Sequence, residues 1–286
     1  MNTHKPTSQQ INNSSLPIGI FDSGVGGLTL VKEVFLQLPN EKVVYFGDTA
    51  RVPYGTKSKE TVTHFATEIV RFLVQREVKL IIVACNTASA YALGELHKKF
   101  KRIPIIGVIE PGTKAALRAT SSQRIGVIGT EGTIRSRAYE RAFEKLNLRK
   151  SKSTLRVFSH PCPLFVPLVE EGWLNKKVTQ EIAQEYLAPL KNEKIDVLLL
   201  GCTHYPLLKK VIQETIGEKV TIIDSASETV KEVKKLLGEK NLFRQSKLPP
   251  NHRFYVSDAP EKFQSLSKHF LGLDYKKVSP IHLKRL

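Results

Sequence analysis

The sequence predicts an α/β protein built from two similar α/β domains, with mainly parallel sheets and an active-site cleft between the domains. Three observations lead there. Short apolar or β-branched runs alternate with stretches of helical period along most of the chain. Two of those runs end on a cysteine followed by polar, helix-starting residues, Val83-Ala84-Cys85-Asn86-Thr87 and Leu199-Leu200-Gly201-Cys202-Thr203. The chain also repeats itself: Ile18-Gly19-Ile20-Phe21-Asp22-Ser23 resembles Ile125-Gly126-Val127-Ile128-Gly129-Thr130 107 residues later, and the cysteines lie 117 residues apart.

Each element has its own signal. Strands are expected over Ile18–Phe21, Val43–Phe46, Leu80–Ala84, Ile103–Val108, Ile125–Ile128, Leu155–Phe158, Val197–Leu200, Val220–Ile223 and Phe254–Val256. These are short apolar runs bounded by Gly, Pro or polar residues. Helical stripes follow between them. Leu28, Val31, Val34 with Phe35, and Leu38 make the first. Val62, Phe65, Ile69 and Phe72 with Leu73 make the second, and Val178, Ile182, Tyr186 and Leu190 a later one. Strand–helix alternation of this kind favours parallel sheets covered on both faces. The expected division is a disordered tail over 1–16, a first domain from 17–111 plus 224–286, and a second over 112–223. The boundary falls near Pro111-Gly112.

Composition bounds the function. At 286 residues, with 41% hydrophobic and 25% charged content, the chain reads as a soluble globular protein. No run approaches the ~18–20 apolar residues of a membrane span, and Met1 to Ser15 lack the apolar core of a secretory signal. Three cysteines argue against a disulfide framework and for a reducing, cytoplasmic setting. The net charge of +17 raises nucleic-acid binding. Yet the cations are scattered, as in Lys98-Lys99, Lys209-Lys210 and Lys234-Lys235, with no reading motif or interleaved aromatics. Binding to nucleic acid or a DNA enzyme as a second activity rests on charge alone. Salt-dependent DNA retention that survives loss of both thiols would support it.

Ligands of open α/β sheets sit outside the carboxyl ends of the strands. A thiol there faces a ligand instead of the core, and the following helix N-terminus favours an anion. Two such thiols suggest one site with a sulfur on each side. Asp22 closes the first strand and His204 lies two residues beyond Cys202, so each thiol has a candidate proton partner. The hydroxyls of Ser23, Thr87 and Thr203 and the Asn86 amide are suited to carboxylates. The glycines of Gly24-Val25-Gly26-Gly27 lack G-x-G-x-x-G spacing and a following Lys-Ser/Thr. They are read as allowing close backbone approach to a substrate carboxylate. No Cys-x-x-Cys or His cluster suggests zinc.

Four motifs, in order, then resemble one family. Asp22-Ser23-Gly24-Val25-Gly26-Gly27, Pro53-Tyr54-Gly55, Ala84-Cys85-Asn86-Thr87-Ala88-Ser89 and Gly201-Cys202-Thr203-His204-Tyr205-Pro206 are similar to those of the bacterial glutamate racemases. Aspartate racemases share the two-cysteine layout but typically carry Glu at the place of His204 and His at that of Ser89. The resemblance implies racemisation of L- and D-glutamate without cofactor or metal, supplying D-glutamate for peptidoglycan, and commonly a homodimer. It implies Cys202 as base toward L-glutamate and Cys85 toward D-glutamate, assisted by Asp22 near Cys85 and by His204 with Glu170 near Cys202. Glu170 is placed by Pro163-Leu164-Phe165-Val166-Pro167-Leu168-Val169-Glu170, with Glu171 adjacent. Asp22, Ser23, Tyr54, Gly55, Asn86, Thr87, Thr203 and His204 would contact substrate. Each residue also has a plainer reading: buried cysteine, helix-capping Asp22, core His204, surface Glu170, turn at Tyr54-Gly55. Cys162, flanked by prolines, is read as structural.

Overall fold

In the computed structural model, which describes residues 13–147, 155–272 and 278–281, the apolar runs become ten strands in two sheets. They are β1 (Ile18–Asp22), β2 (Val43–Gly47), β3 (Leu80–Val83), β4 (Ile105–Gly107), β5 (Arg124–Gly129), β6 (Arg156–Pro161), β7 (Val197–Gly201), β8 (Thr221–Asp224), β9 (Arg253–Val256) and β10 (Val278–Pro280). The first sheet runs β10-β9-β2-β1-β3-β4 and the second β6-β5-β7-β8. All strand pairs are parallel. The four-strand order β2-β1-β3-β4 is therefore repeated as β6-β5-β7-β8, so β3 and β7, which precede the two cysteines, are topological equivalents.

The helices are α1 (Leu28–Gln37), α2 (Lys59–Gln75), α3 (Asn86–Lys99), α4 (Ile109–Ala119), α5 (Glu131–Arg135), α6 (Ala138–Asn147), α7 (Phe165–Glu170), α8 (Lys177–Asn192), α9 (Lys209–Ile216), α10 (Ser225–Glu239) and α11 (Pro260–Leu271). None is long and apolar enough to cross a membrane. Strands β1, β2, β3 and β7 are buried along their whole length, which is why they read as unbroken apolar runs. One buried apolar cluster joins the sheets, running from Ile18, Ile20 and Leu80 to Leu198, Leu200 and Val230.

The structure departs from the sequence expectations in several places. The α8 stripe turns by one residue: Thr179, Ala183, Leu187 and Leu190 are buried, whereas Val178 is 38% exposed. Thr179 tolerates burial because its hydroxyl donates to the Trp173 carbonyl at 2.5 Å. The strand expected over 103–108 shortens to β4, and β10 was not foreseen. The boundary expected at Pro111-Gly112 falls inside α4, which packs against α6, α10 and β7. The expected tail lies outside the described residues up to position 12. Its last part is ordered: Asn13–Ser15 form a 3-10 turn, and the Ser14 carbonyl accepts from Lys79 Nζ at 3.0 Å. Lys79 is buried, forms an ion pair with Glu41, and also donates to the Leu242 carbonyl at 2.8 Å.

Candidate active site

Both thiols lie beyond strand ends, as equivalents in the repeated topology. Cys85 follows β3 and caps α3, its sulfur accepting from the Ala88 N–H at 3.4 Å. Cys202 follows β7. The two line one small cavity of about 20 Å³, little more than the room for one water. Its wall also includes Ser23, Tyr54, Gly55, Asn86, Thr87, Thr203 and His204, so seven of the eight residues expected to contact substrate are there. Asp22 stands one layer behind. A vestibule of about 280 Å³ adjoins the cavity, sharing Val52, Pro53, Gly55, Thr130 and Val166 with it and reaching Glu170. Larger clefts lie elsewhere, one of about 550 Å³ beside His97 and Lys114 and another of about 1060 Å³ beside Lys99 and Arg102. Neither holds a thiol, so chemistry rather than size selects the site.

A charged chain backs Cys202. His204 is buried, with Nδ1 3.8 Å from the Cys202 sulfur and Nε2 3.2 Å from Glu170 Oε1. Burial opposes its charge, but the hydrogen bonds to Cys202 and Glu170 outweigh it, and the imidazole is pushed up to about 10. Burial also works against the Glu170 charge, yet the bond from His204 holds this carboxyl below its ordinary range. Glu170 closes α7; its neighbour Glu171 is exposed and lies 3.9 Å from Lys262. Of the two carboxylates, Glu170 is the one that reaches the imidazole.

Asp22 lies behind the wall, at the end of β1. It is fully buried, accepts from Gly24 N–H at 3.1 Å and from the Thr203 hydroxyl at 3.3 Å, and burial raises its carboxyl above the usual value. Burial, reinforced by the Asp22 charge, pushes the Cys85 thiol up to about 12. Both effects favour the neutral thiol at Cys85. Cys162 is fully buried, burial raises its thiol, and its carbonyl accepts from Tyr205 at 2.8 Å. It lies outside the cavity wall.

The cavity wall is held across the two halves. The Gly55 carbonyl accepts from Gly132 N–H at 2.7 Å, and the Thr87 hydroxyl lies 2.9 Å from that of Thr130 and 3.1 Å from that of Thr133. The Tyr54 hydroxyl is turned away to Asp48, which also accepts from Ser257 and Arg51. Sequence reading missed Thr130, although the repeat aligned Gly129-Thr130 with Asp22-Ser23 and pointed to it. Thr133 and Val166 had no such signal. In the glycine loop, a Cβ on Gly26 would lie 2.3 Å from Thr203 Oγ1 and 2.5 Å from His204 Nδ1, so this glycine lets the protein's own second half approach. Ser89 is tied to backbone, donating to the Val83 carbonyl at 2.8 Å. Among the described residues, no three His, Cys, Asp or Glu side chains group as metal ligands.

The sequence and the fold are similar to those of known proteins. Residues 28–233 match the model of the Asp/Glu/Hydantoin racemase family. The chain belongs to that family. A glutamate racemase from Geobacter metallireducens is 54% identical over 255 residues, 89% of this chain and 92% of that protein. The crystal structure of a Francisella tularensis glutamate racemase in complex with D-glutamate superposes with a TM-score of 0.89 at 41% identity, covering 96% of this chain and all of that one. A Bacillus anthracis glutamate racemase isoform gives 0.88 at 42% identity, covering 93% and 97%. These two solved glutamate racemases thus share the fold of this chain over nearly its whole length.

Proposed function

We propose that the protein interconverts L- and D-glutamate by a two-base reaction without cofactor, with Cys85 and Cys202 facing opposite sides of the substrate Cα. The observation that carries this reading is the pair of equivalent strand-end thiols on one cavity. In the L-to-D direction the Cys202 thiolate takes the Cα proton, and the Cys85 thiol gives its proton to the other face. The product leaves Cys202 as thiol and Cys85 as thiolate, ready for the reverse direction. The two thiols lie on opposite halves, which act as the domains expected over 17–111 with 224–286 and over 112–223.

The surroundings support these roles. Positive charge on His204, fixed by Glu170, lies beside the Cys202 sulfur, where a thiolate needs it. Burial favours the protonated form of Cys85, the form a donor needs. Asp22, joined to Thr203 and bearing on the Cys85 charge, takes up and returns that proton. Ser23, Asn86, Thr87, Thr203 and the backbone at Tyr54-Gly55 supply donors for the two carboxylates. Negative charge growing at Cα needs such preorganised donors in an enclosed site. A cavity of about 20 Å³ cannot hold an amino acid. The vestibule is therefore the way in, and the halves part and close again around substrate, setting sulfur, Cα and sulfur within about 3–3.5 Å.

D-glutamate made this way supplies peptidoglycan synthesis, in the reducing cytoplasm that free thiols require. Assembly as a homodimer follows from the resemblance, and sedimentation of the purified protein checks it. The deciding assay incubates the protein with L-glutamate and no added cofactor while optical activity is followed. Signal should decay to zero, and in deuterated water the product should carry deuterium at Cα. Undiminished rotation would remove the proposal, and faster loss with L-aspartate would move the substrate to the shorter acid.

A further inference from the structure

Asn86 stands directly after Cys85 on the cavity wall, at the start of α3 in the first half. Its side-chain oxygen accepts a 2.6 Å hydrogen bond from the hydroxyl of Tyr139, on α6 in the second half. Tyr139 is itself buried and packs its ring against the strand end of the other thiol: a Cβ on Gly201, the residue before Cys202, would lie 3.0 Å from Tyr139 Cε2. One side chain therefore touches the residue after the first catalytic cysteine and the residue before the second.

The bond has a direction. Burial first, then the nearby Cys202 and Asp224, raise the phenol far above its ordinary value, so Tyr139 stays a neutral O–H donor throughout the working pH range. Its proton finds an acceptor in Asn86 Oδ1. A flipped Asn86 amide would turn its N–H group toward the phenol oxygen and strand the phenol proton in a buried place, at the cost of an unmade hydrogen bond. The amide oxygen is thus committed to Tyr139, and the amide N–H₂ remains as the end that serves the cavity.

We propose that Tyr139 is a positioning residue, acting through Asn86, that presents the Asn86 amide donors to a substrate carboxylate only when the two halves are closed. The inference rests on the racemase reading above and adds a residue outside the cavity wall to it. The Asn86 donors already hold the carboxylate in the ground state, so most of their loss belongs in KM.

The test compares wild type, Tyr139→Phe, Asn86→Ala and the double variant with each enantiomer of glutamate, with thermal unfolding run beside them. Tyr139→Phe keeps the ring against Gly201 and removes only the hydroxyl. KM should rise about tenfold in both directions with kcat changed less than about threefold, since a lost hydrogen bond of this kind is worth roughly that factor. The double variant should be no worse than Asn86→Ala, because the hydroxyl has nothing left to orient. An unchanged KM in Tyr139→Phe overturns the inference, as does a double variant whose two losses multiply. Should Tyr139→Phe not fold, Tyr139→Met carries the same test: it too leaves the Asn86 oxygen without its hydroxyl donor, so KM must rise about tenfold with kcat little changed. Wild-type turnover separates the two claims. Its absence takes down the racemase reading and this one with it, whereas turnover with an indifferent Tyr139 takes down this one alone.

Discussion

His204 shows how much one residue's role depends on contacts far from it in sequence. Cys202 is two positions away, but Glu170 comes from α7. Because the folded imidazole is raised to about 10 from an ordinary value near 6.5, its charge contributes stability that is complete below about pH 6.5 and lost as pH climbs through 10. Glu170→Gln should therefore narrow the stability gap to wild type as pH rises across that window, read by urea unfolding at fixed pH values. It should also move the alkaline limb of kcat/KM to lower pH; an unmoved limb would detach Glu170 from the chemistry. Either cysteine changed to alanine should cut racemisation by at least about 1000-fold with circular dichroism in the far ultraviolet unchanged. Both thiols, His204 and most of the cavity wall were legible because motif residues sit in short runs beside strand ends. Thr133, Val166 and Tyr139 were not, because only folding across the two halves brings them to Asn86, Thr87 and the cavity.

At the scale of elements, legibility followed burial. Strands covered on both faces print as uninterrupted aliphatic runs, and β1, β2, β3 and β7 were placed to within a residue. Helix α8 was rotated in the reading because hydropathy cannot register that Thr179 finds a carbonyl for its hydroxyl. The edge strand β10, three residues with a terminal proline, has too little pattern to register. Two glycine substitutions separate packing from propensity. Gly94, inside α3, has open space where a Cβ would go, so Gly94→Ala should stabilise by about 0.5–1 kcal/mol through helix propensity and lift Tm by about 1–3 °C. Gly26→Ala pushes a methyl group against His204 and should destabilise by about 1–3 kcal/mol while lowering kcat. A Gly26→Ala enzyme with normal turnover would show that the halves need not approach there.

For the molecule as a whole, Lys79 ties distant chain segments together. Its buried ammonium joins Ser14, Glu41 and Leu242, so the turn before β1, the approach to β2 and the return toward β9 meet at one charge. Lys79→Ala leaves the Glu41 carboxylate buried without its ammonium partner, held by the Arg244 N–H at 2.9 Å, and should cost about 3–5 kcal/mol, seen as a lower urea midpoint with little change in KM. Nothing in the sequence marked this lysine, since a lone cation between two apolar residues looks like any surface charge. The repeated strand order was visible in outline from two short matches, whereas the continuous core that fuses the halves was not, because it is assembled from residues on both.

The likeness of the two halves stops at their flanks, since one sulfur is backed by a carboxyl and the other by an imidazolium. Mirror-image amino acids have identical free energies in water, so the equilibrium constant of their exchange is one. Whatever the flanks do, kcat/KM must come out equal in the two directions. The unlike backing can only redistribute each direction's share between affinity and speed: the enantiomer held more tightly must be turned over more slowly, by the same factor.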